Sequence, residues 1–232
     1  MTYDSRLTTF FMKGLFITGT DTDVGKTYIA CQIASALKQK NINVIPKKPV
    51  ETGCELINGV LLANDASLLL KASQSTSSLE DVCAYRFTQA ISPKVAAKLS
   101  GESLSLKQLN TACIKNISEN DFLLVEGAGG FYSPICENAL NADLAGELNL
   151  PIILVAEDRV GAVNQVLLAI DAIEKYQLAI CAIILNSTEK KPQNELSNNA
   201  CEIIAITHHP VFSVAYKKPL STDFLKHLSP YL

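Results

Sequence analysis

The sequence predicts a single-domain, three-layer α/β/α fold with a mainly parallel central sheet, and three observations predict it. Short runs of Val, Ile and Leu alternate with stretches of helical length. Those runs are continuously apolar rather than alternating, as strands buried on both faces must be. The 232 residues, 48% of them hydrophobic, carry no repeat, low-complexity tract or linker that would divide them, and they suffice for one sizeable core. Strands alternating with helices are joined by right-handed crossovers, which puts helices on both faces of the sheet.

Taken in order, residues 1–12 (MTYDSRLTTFFM) lack the long apolar region of a signal peptide. They are set apart as an N-terminal extension, with Met12 an equally good start, and residues 13–232 form the domain. Apolar runs place strands at 14–18, 43–45, 122–125, 151–155, 179–185 and 211–215. Helical patterns fill 26–40, 65–72, 93–99, 106–117, 142–148 and 162–176. In such a sheet ligands bind beyond the carboxyl ends of the strands. Candidate residues should therefore follow strands: GTDTDVGKT follows the first, Lys48 the second, Glu126 the third and Asn186 the fifth.

Composition excludes several classes of function. A net charge of −3 and a pI near 5.7 give no field that favours nucleic acid or an anionic membrane. The pairs Lys47-Lys48, Lys190-Lys191 and Lys217-Lys218 read by default as solvated surface charge. Seven cysteines without a C-x-x-C pair suit neither a disulfide framework nor a zinc site. They are expected to be reduced, mostly buried small hydrophobes of a cytoplasmic protein. No run of some 18 apolar residues predicts a membrane span.

The chemistry begins at Gly19–Thr27, GTDTDVGKT, between the first strand and the first helix. It ends as a phosphate-binding P-loop does, but is one residue too long: Thr20 stands where the strict pattern has Gly. Backbone N–H groups and the helix dipole converge on the bend. Gly25 permits close approach to phosphate, Lys26 reaches the β- and γ-phosphates, and Thr27 offers a hydroxyl to Mg²⁺. The domain is thus of P-loop NTPase type. Lys48, in KPVETG after the second strand, is placed to neutralise a second reactant or the γ-phosphate, with Lys47 on the other side of the chain. Glu126, in VEGAGG at the tip of a buried strand, is a natural Mg²⁺ ligand. Asp65 opens a helix and reads equally as a cap or as a metal ligand. Asn186 offers an amide to a purine edge. His208, His209 and His227 lie late in the chain, the adjacent pair in a solvated turn, so the chemistry rests on metal, lysine and positioned phosphate.

GTDTDVGKT, KPVETG, VEGAGG and SPKVAA (Ser92–Ala97) together resemble the dethiobiotin synthetase family, over residues 13 to 216. The resemblance implies an ATP- and Mg²⁺-dependent reaction of 7,8-diaminopelargonate with CO₂ to form the ureido ring of dethiobiotin. It implies Mg²⁺ on Thr27, Asp65 and Glu126, with Lys48 as active-site lysine and Thr52 on the diamine or its carbamate. Asp23, Val24, Gly25, Lys26, Thr27 and Tyr28 would wrap the phosphates. Glu126, Gly127, Ala128 and Gly129 would line the nucleotide side. Asn186 and Ser187 would meet adenine, with Val214, Ala215 and Tyr216 as a further wall. It also implies a homodimer whose partner subunit helps to hold the substrate carboxylate, with Gly161 and Asn164 in the matching stretch. Lys94 stands where the family usually has His, and Tyr216 where proline is common. Two rivals share the architecture. A partition-type ATPase switch would carry a second lysine where Asp21 and Thr22 stand, and a corrinoid amidotransfer synthetase would carry an extra glutaminase domain.

Overall fold

A computed structural model describes residues 12–190 and 198–232. Of the N-terminal extension only Met12 falls among them, partly buried against the core; Lys191 falls outside. The chain opens with β1 (Gly14–Gly19), α1 (Lys26–Gln39) and β2 (Val44–Lys47). Short strands β3 (Val50–Thr52), β4 (Glu55–Ile57) and β5 (Val60–Leu62) lead to α2 (Asn64–Ser73), α3 (Leu79–Val82) and β6 (Tyr85–Phe87). Then come α4 (Pro93–Leu99), α5 (Leu106–Ile114), the long β7 (Phe122–Gly130), β8 (Pro134–Cys136), β9 (Ala139–Leu140) and α6 (Asn141–Leu148). The last part holds β10 (Ile152–Glu157), α7 (Ala162–Lys175), β11 (Ile180–Asn186), α8 (Asn199–Thr207), β12 (Val211–Val214) and α9 (Thr222–His227).

Six strands form one sheet in the order β12-β11-β10-β1-β7-β2, and every pairing is parallel. These are the six predicted from continuous apolar runs. Side chains alternate between faces as the pleat requires. Leu15 and Ile17 of β1 join Ile29, Ile33 and Leu37 of α1 on one face, closed off by Leu220, Phe224 and Leu228. Phe16 joins α6 and α7 on the other face, through Leu144, Val166 and Ile170. Both faces are therefore covered, and each fully buried large side chain contributes about 1.5–3 kcal/mol.

Not foreseen were the two-stranded pairs β3–β6, β4–β5 and β8–β9 and the helices α3, α8 and α9. The helix expected over 106–117 stops at Ile114, because Lys115 turns extended (φ −63°, ψ 133°). His208 ends α8 in the left-handed conformation, and His209 Nε2 lies 3.3 Å from Glu174 Oε1. All seven cysteines are free, and five are buried. Among the described residues no helix is long and apolar enough to cross a membrane.

Candidate active site

The carboxyl ends of β1, β2 and β7 meet at one cleft of about 340 Å³, lined by Lys26, Thr27, Lys48, Thr52, Asp65 and Glu126 among others. A second hollow of about 480 Å³ adjoins it, shares Asp23, Thr52 and Gly129, and runs towards Ser92 and Ser133. Together they make one elongated depression, with the P-loop at one end and the start of α4 at the other.

The loop takes its shape from two left-handed residues, Asp23 (φ 58°) and Gly25 (φ 94°). Gly25 is the N-cap of α1 and makes no side-chain cap, so the helix N–H groups stay available to an anion. A side chain at Gly25 is excluded for a second reason: its Cβ would sit 2.2 Å from Asn186 Nδ2. Lys26 is 6% exposed and donates to the Asp21 carbonyl at 2.8 Å, folded back on its own loop. Burial first, and the positive charge of Lys48 second, lower its pKa from 10.5 to about 8, despite the pull of Glu126 and Asp65.

Lys47 and Lys48 are 1% and 4% exposed, which corrects the default reading of that pair as surface charge. They point to opposite sides, as expected. Lys47 Nζ donates to the carbonyls of Asp81 (2.8 Å) and Lys115 (3.0 Å), closing the ends of α3 and α5. Lys48 Nζ turns into the cleft, 2.8 Å from Asp65 Oδ2 and 2.5 Å from Glu126 Oε1. Burial opposes the Lys48 charge, but Glu126 and Asp65 outweigh it and hold the ammonium above the ordinary lysine value. Burial likewise would raise the Asp65 carboxyl, yet Lys48, with help from Thr27, holds it below the usual carboxylate range.

Thr27 Oγ1 donates to the same Glu126 Oε1 at 2.8 Å. The three residues expected to hold a metal therefore gather at one point. Glu126 is 1% exposed, and its second oxygen, Oε2, has no hydrogen-bond partner. A buried carboxylate oxygen left without a partner is costly, and a bound hard cation would satisfy it. Among the described residues no three His, Cys, Asp or Glu side chains form a metal-binding group. What the cleft offers is two carboxylates and a hydroxyl, which could hold Mg²⁺ only with phosphate oxygens and water to complete its shell.

Two positioning residues were not found from sequence. Glu51 (7% exposed) accepts from the N–H groups of Asp65 and Ala66, both at 3.0 Å, and so caps α2, whose own N-cap residue Ala63 has no capping side chain. Asp65 is consequently a capped residue rather than the cap, and its carboxylate is left for Lys48. Asn141, fully buried, binds both the N–H and the carbonyl of Ala128 and donates to the Gly130 carbonyl at 3.1 Å. It pins the glycine-rich tail of β7 over the cleft. Neither role has a local signal, since each partner lies 10 or more residues away.

The remaining candidates divide. Asn186 is 4% exposed and donates from Nδ2 to the Val24 carbonyl at 3.0 Å, which ties β11 to the P-loop; its Oδ1 is buried without a partner. Ser187 N–H donates to the Val214 carbonyl (2.9 Å), so Ser187, Val214, Ala215 and Tyr216 lie together at the carboxyl ends of β11 and β12. The Lys217 ammonium stands 5.0 Å from the Tyr216 ring centre, and Tyr28 OH donates to the Lys218 carbonyl at 2.9 Å. Gly161 and Asn164, at the exposed head of α7, do not line the cleft within this chain.

A family model described as "AAA domain" matches residues 13–222. The chain is 43% identical over 175 residues to the ATP-dependent dethiobiotin synthetase BioD of Vesicomyosocius okutanii subsp. Calyptogena okutanii, covering 75% of this chain and 79% of that one. To its namesake from Ruthia magnifica subsp. Calyptogena magnifica it is 42% identical, over 77% and 81% of the two chains. To that of Anaeromyxobacter dehalogenans strain 2CP-1 it is 35% identical, over 90% and 89%. With the P-loop, the buried lysine and the strand-tip carboxylate at one cleft, these likenesses lead to one conclusion: the chain belongs to the ATP-dependent dethiobiotin synthetase family.

Proposed function

We propose that this protein is a cyclo-ligase that uses ATP and Mg²⁺ to carboxylate 7,8-diaminopelargonate with CO₂ and close the ring to dethiobiotin. The observation that carries the reading is the gathering of Lys26, Lys48 and a carboxylate–hydroxyl set in one cleft of a chain with these relatives. One amine of the substrate adds to the carbon of CO₂ and loses a proton, giving a carbamate. A carbamate oxygen attacks the γ-phosphorus and ADP leaves, giving a carbamic–phosphoric mixed anhydride. The second amine attacks the carbonyl carbon, expels phosphate and loses a proton as the ring closes.

The attack brings an anion onto a triphosphate, so cations must screen both partners in a fixed line. Lys26 serves the β- and γ-phosphates and Lys48 the incoming carbamate. Thr27, Asp65 and Glu126 would hold Mg²⁺, which when bound neutralises charge on the phosphates. Glu126 to Gly129 line the nucleotide. The unpartnered Asn186 Oδ1 suits an exocyclic amino donor, as adenine has. Thr52 and the hollow towards Ser92 take the diamine. Gly161 and Asn164, away from the cleft, fit a homodimer in which a neighbouring subunit contributes them to the carboxylate tail. A cytoplasmic location accords with seven free cysteines.

The test is phosphate release from Mg-ATP with and without 7,8-diaminopelargonate and bicarbonate, with the product checked by mass. Release that needs both, with a cyclic urea formed, is the expected result. ATP turnover indifferent to both would point instead to a nucleotide switch.

A further inference from the structure

The Lys48 ammonium already occupies the place that the metal-binding oxygens surround. It is 4% exposed, with Nζ 2.8 Å from Asp65 Oδ2 and 2.5 Å from Glu126 Oε1, and Thr27 donates to that same Glu126 oxygen. One cation thus serves two carboxylates, the buried Glu126 and the half-exposed Asp65. A divalent ion on those oxygens would stand close to the ammonium at the buried Glu126 end of the site, where like charges are poorly screened and repel. The two cations therefore compete for one set of oxygens. The Lys48 backbone gives no slack, because its N–H is bonded to the Val82 carbonyl at 2.8 Å; only the flexible four-carbon side chain can swing away. The Asp65 backbone is held as well, since Glu51 fixes the N–H groups of Asp65 and Ala66.

We infer that Lys48 is an internal counter-cation of the metal site. Metal entry displaces it from Asp65 and Glu126 and turns it towards the anionic reactant in the same cleft. The lysine is thereby kept from acting until the metal is in place, and the buried Glu126 carboxylate is never left without a cation. The inference rests on the assignment of Asp65 and Glu126 to the metal made above.

The experiment uses the nucleotide-free protein and Mn²⁺ alone, with bound metal read by electron paramagnetic resonance. If the ammonium competes with the metal, Lys48→Met binds Mn²⁺ at least fivefold more tightly than the unaltered protein, and Glu126→Gln added to Lys48→Met removes the gain. A gain of less than fivefold, or one that survives the loss of Glu126, overturns the inference. Lys48→Met leaves two carboxylates without their cation, so Lys48→Gln is made beside it. If neither variant folds in metal-free buffer but both fold in millimolar Mn²⁺, the metal has replaced the ammonium and the inference holds. If neither folds at any Mn²⁺ concentration, it fails. No nucleotide or diamine is present, so this result stands apart from the product assay: a missing cyclic urea with the exchange intact removes only the proposed reaction.

Discussion

Replacing Gly25 by Ala should weaken nucleotide binding while leaving the fold almost untouched. Two costs can be worked from the structure. Gly25 has φ 94°, and a residue with a Cβ loses about 1–2 kcal/mol in the left-handed region. The new Cβ would also lie 2.2 Å from Asn186 Nδ2, so the 3.0 Å hydrogen bond from that amide to the Val24 carbonyl must break. A hydrogen bond of this kind is worth about 0.5–1.5 kcal/mol. In the free protein the loop relieves both costs by relaxing, and binding must then restore the phosphate-cradling shape. The sum, about 1.5–3.5 kcal/mol, appears as a loss of affinity of roughly 10- to 300-fold. Calorimetric titration with ADP measures it, and thermal unfolding without nucleotide should move little. The cycle with Asn186→Ala separates the two costs, because in that background only the backbone strain remains. There Gly25→Ala should lose roughly 5- to 30-fold, the equivalent of about 1–2 kcal/mol. An equal penalty in both backgrounds would show that the contact with Asn186 has no part in shaping the loop.

Four further expectations test other parts of the site. Lys48→Ala should bind Mg-ATP no more weakly than the unaltered protein but lower turnover by about 10²- to 10³-fold, the range for a lost charge-stabilising donor; steady-state kinetics beside nucleotide titration would refute this if turnover were near normal. Lys26 has its pKa lowered to about 8 in the free protein, so a triphosphate that raises it again must draw in a proton; calorimetry at pH 8–9 in buffers of differing ionisation enthalpy should show uptake that Lys26→Met abolishes. By the same shift, unfolded chains hold more protons than the folded protein between about pH 8 and 10.5, so the Lys26 contribution to nucleotide-free stability rises with pH across that window. Glu126→Gln should raise the Mg²⁺ concentration needed for half-maximal rate by about 10- to 100-fold, the loss seen when even outer partners of a metal are removed; an unchanged Mg²⁺ dependence would take Glu126 out of the metal site.

The sheet was legible because burial on both faces leaves a direct mark, as in Leu123-Leu124-Val125 and Ile152-Ile153-Leu154-Val155. The ends of its strands located the P-loop, Lys48, Glu126 and Asn186, since the parallel arrangement puts them all on one edge. The opposed directions of Lys47 and Lys48 followed from chain alternation alone. That Lys47 is buried did not, because its partners are carbonyls at the ends of α3 and α5, 34 and 68 residues along the chain. Three-residue strands such as Tyr85–Phe87 hold their shape only by pairing with Val50–Thr52, so they have no local pattern to read. Glu51 looked like any acid in a turn; its role depends on a helix that begins 13 residues later without a cap of its own. In the same way Asn186 shows a free amide in sequence, yet in the fold half of it is spent on the P-loop.

The sheet order also sets a clock. The strand that carries the P-loop is made first but lies in the middle, paired on one side with β7 from Gly14↔Leu123 and on the other with β10 from Phe16↔Ile152. At a synthesis rate of about 5–20 residues per second, the Leu15-Phe16-Ile17 run waits roughly 7 to 30 seconds for its second neighbour to be made. Until β7 is made both edges of that apolar strand are open, and until β10 is made one still is; no nucleotide can help meanwhile, because the finished cradle does not yet exist. ATP can therefore slow the loss of the finished protein but cannot hasten its making, and the nascent chain is most exposed to aggregation before β10 arrives.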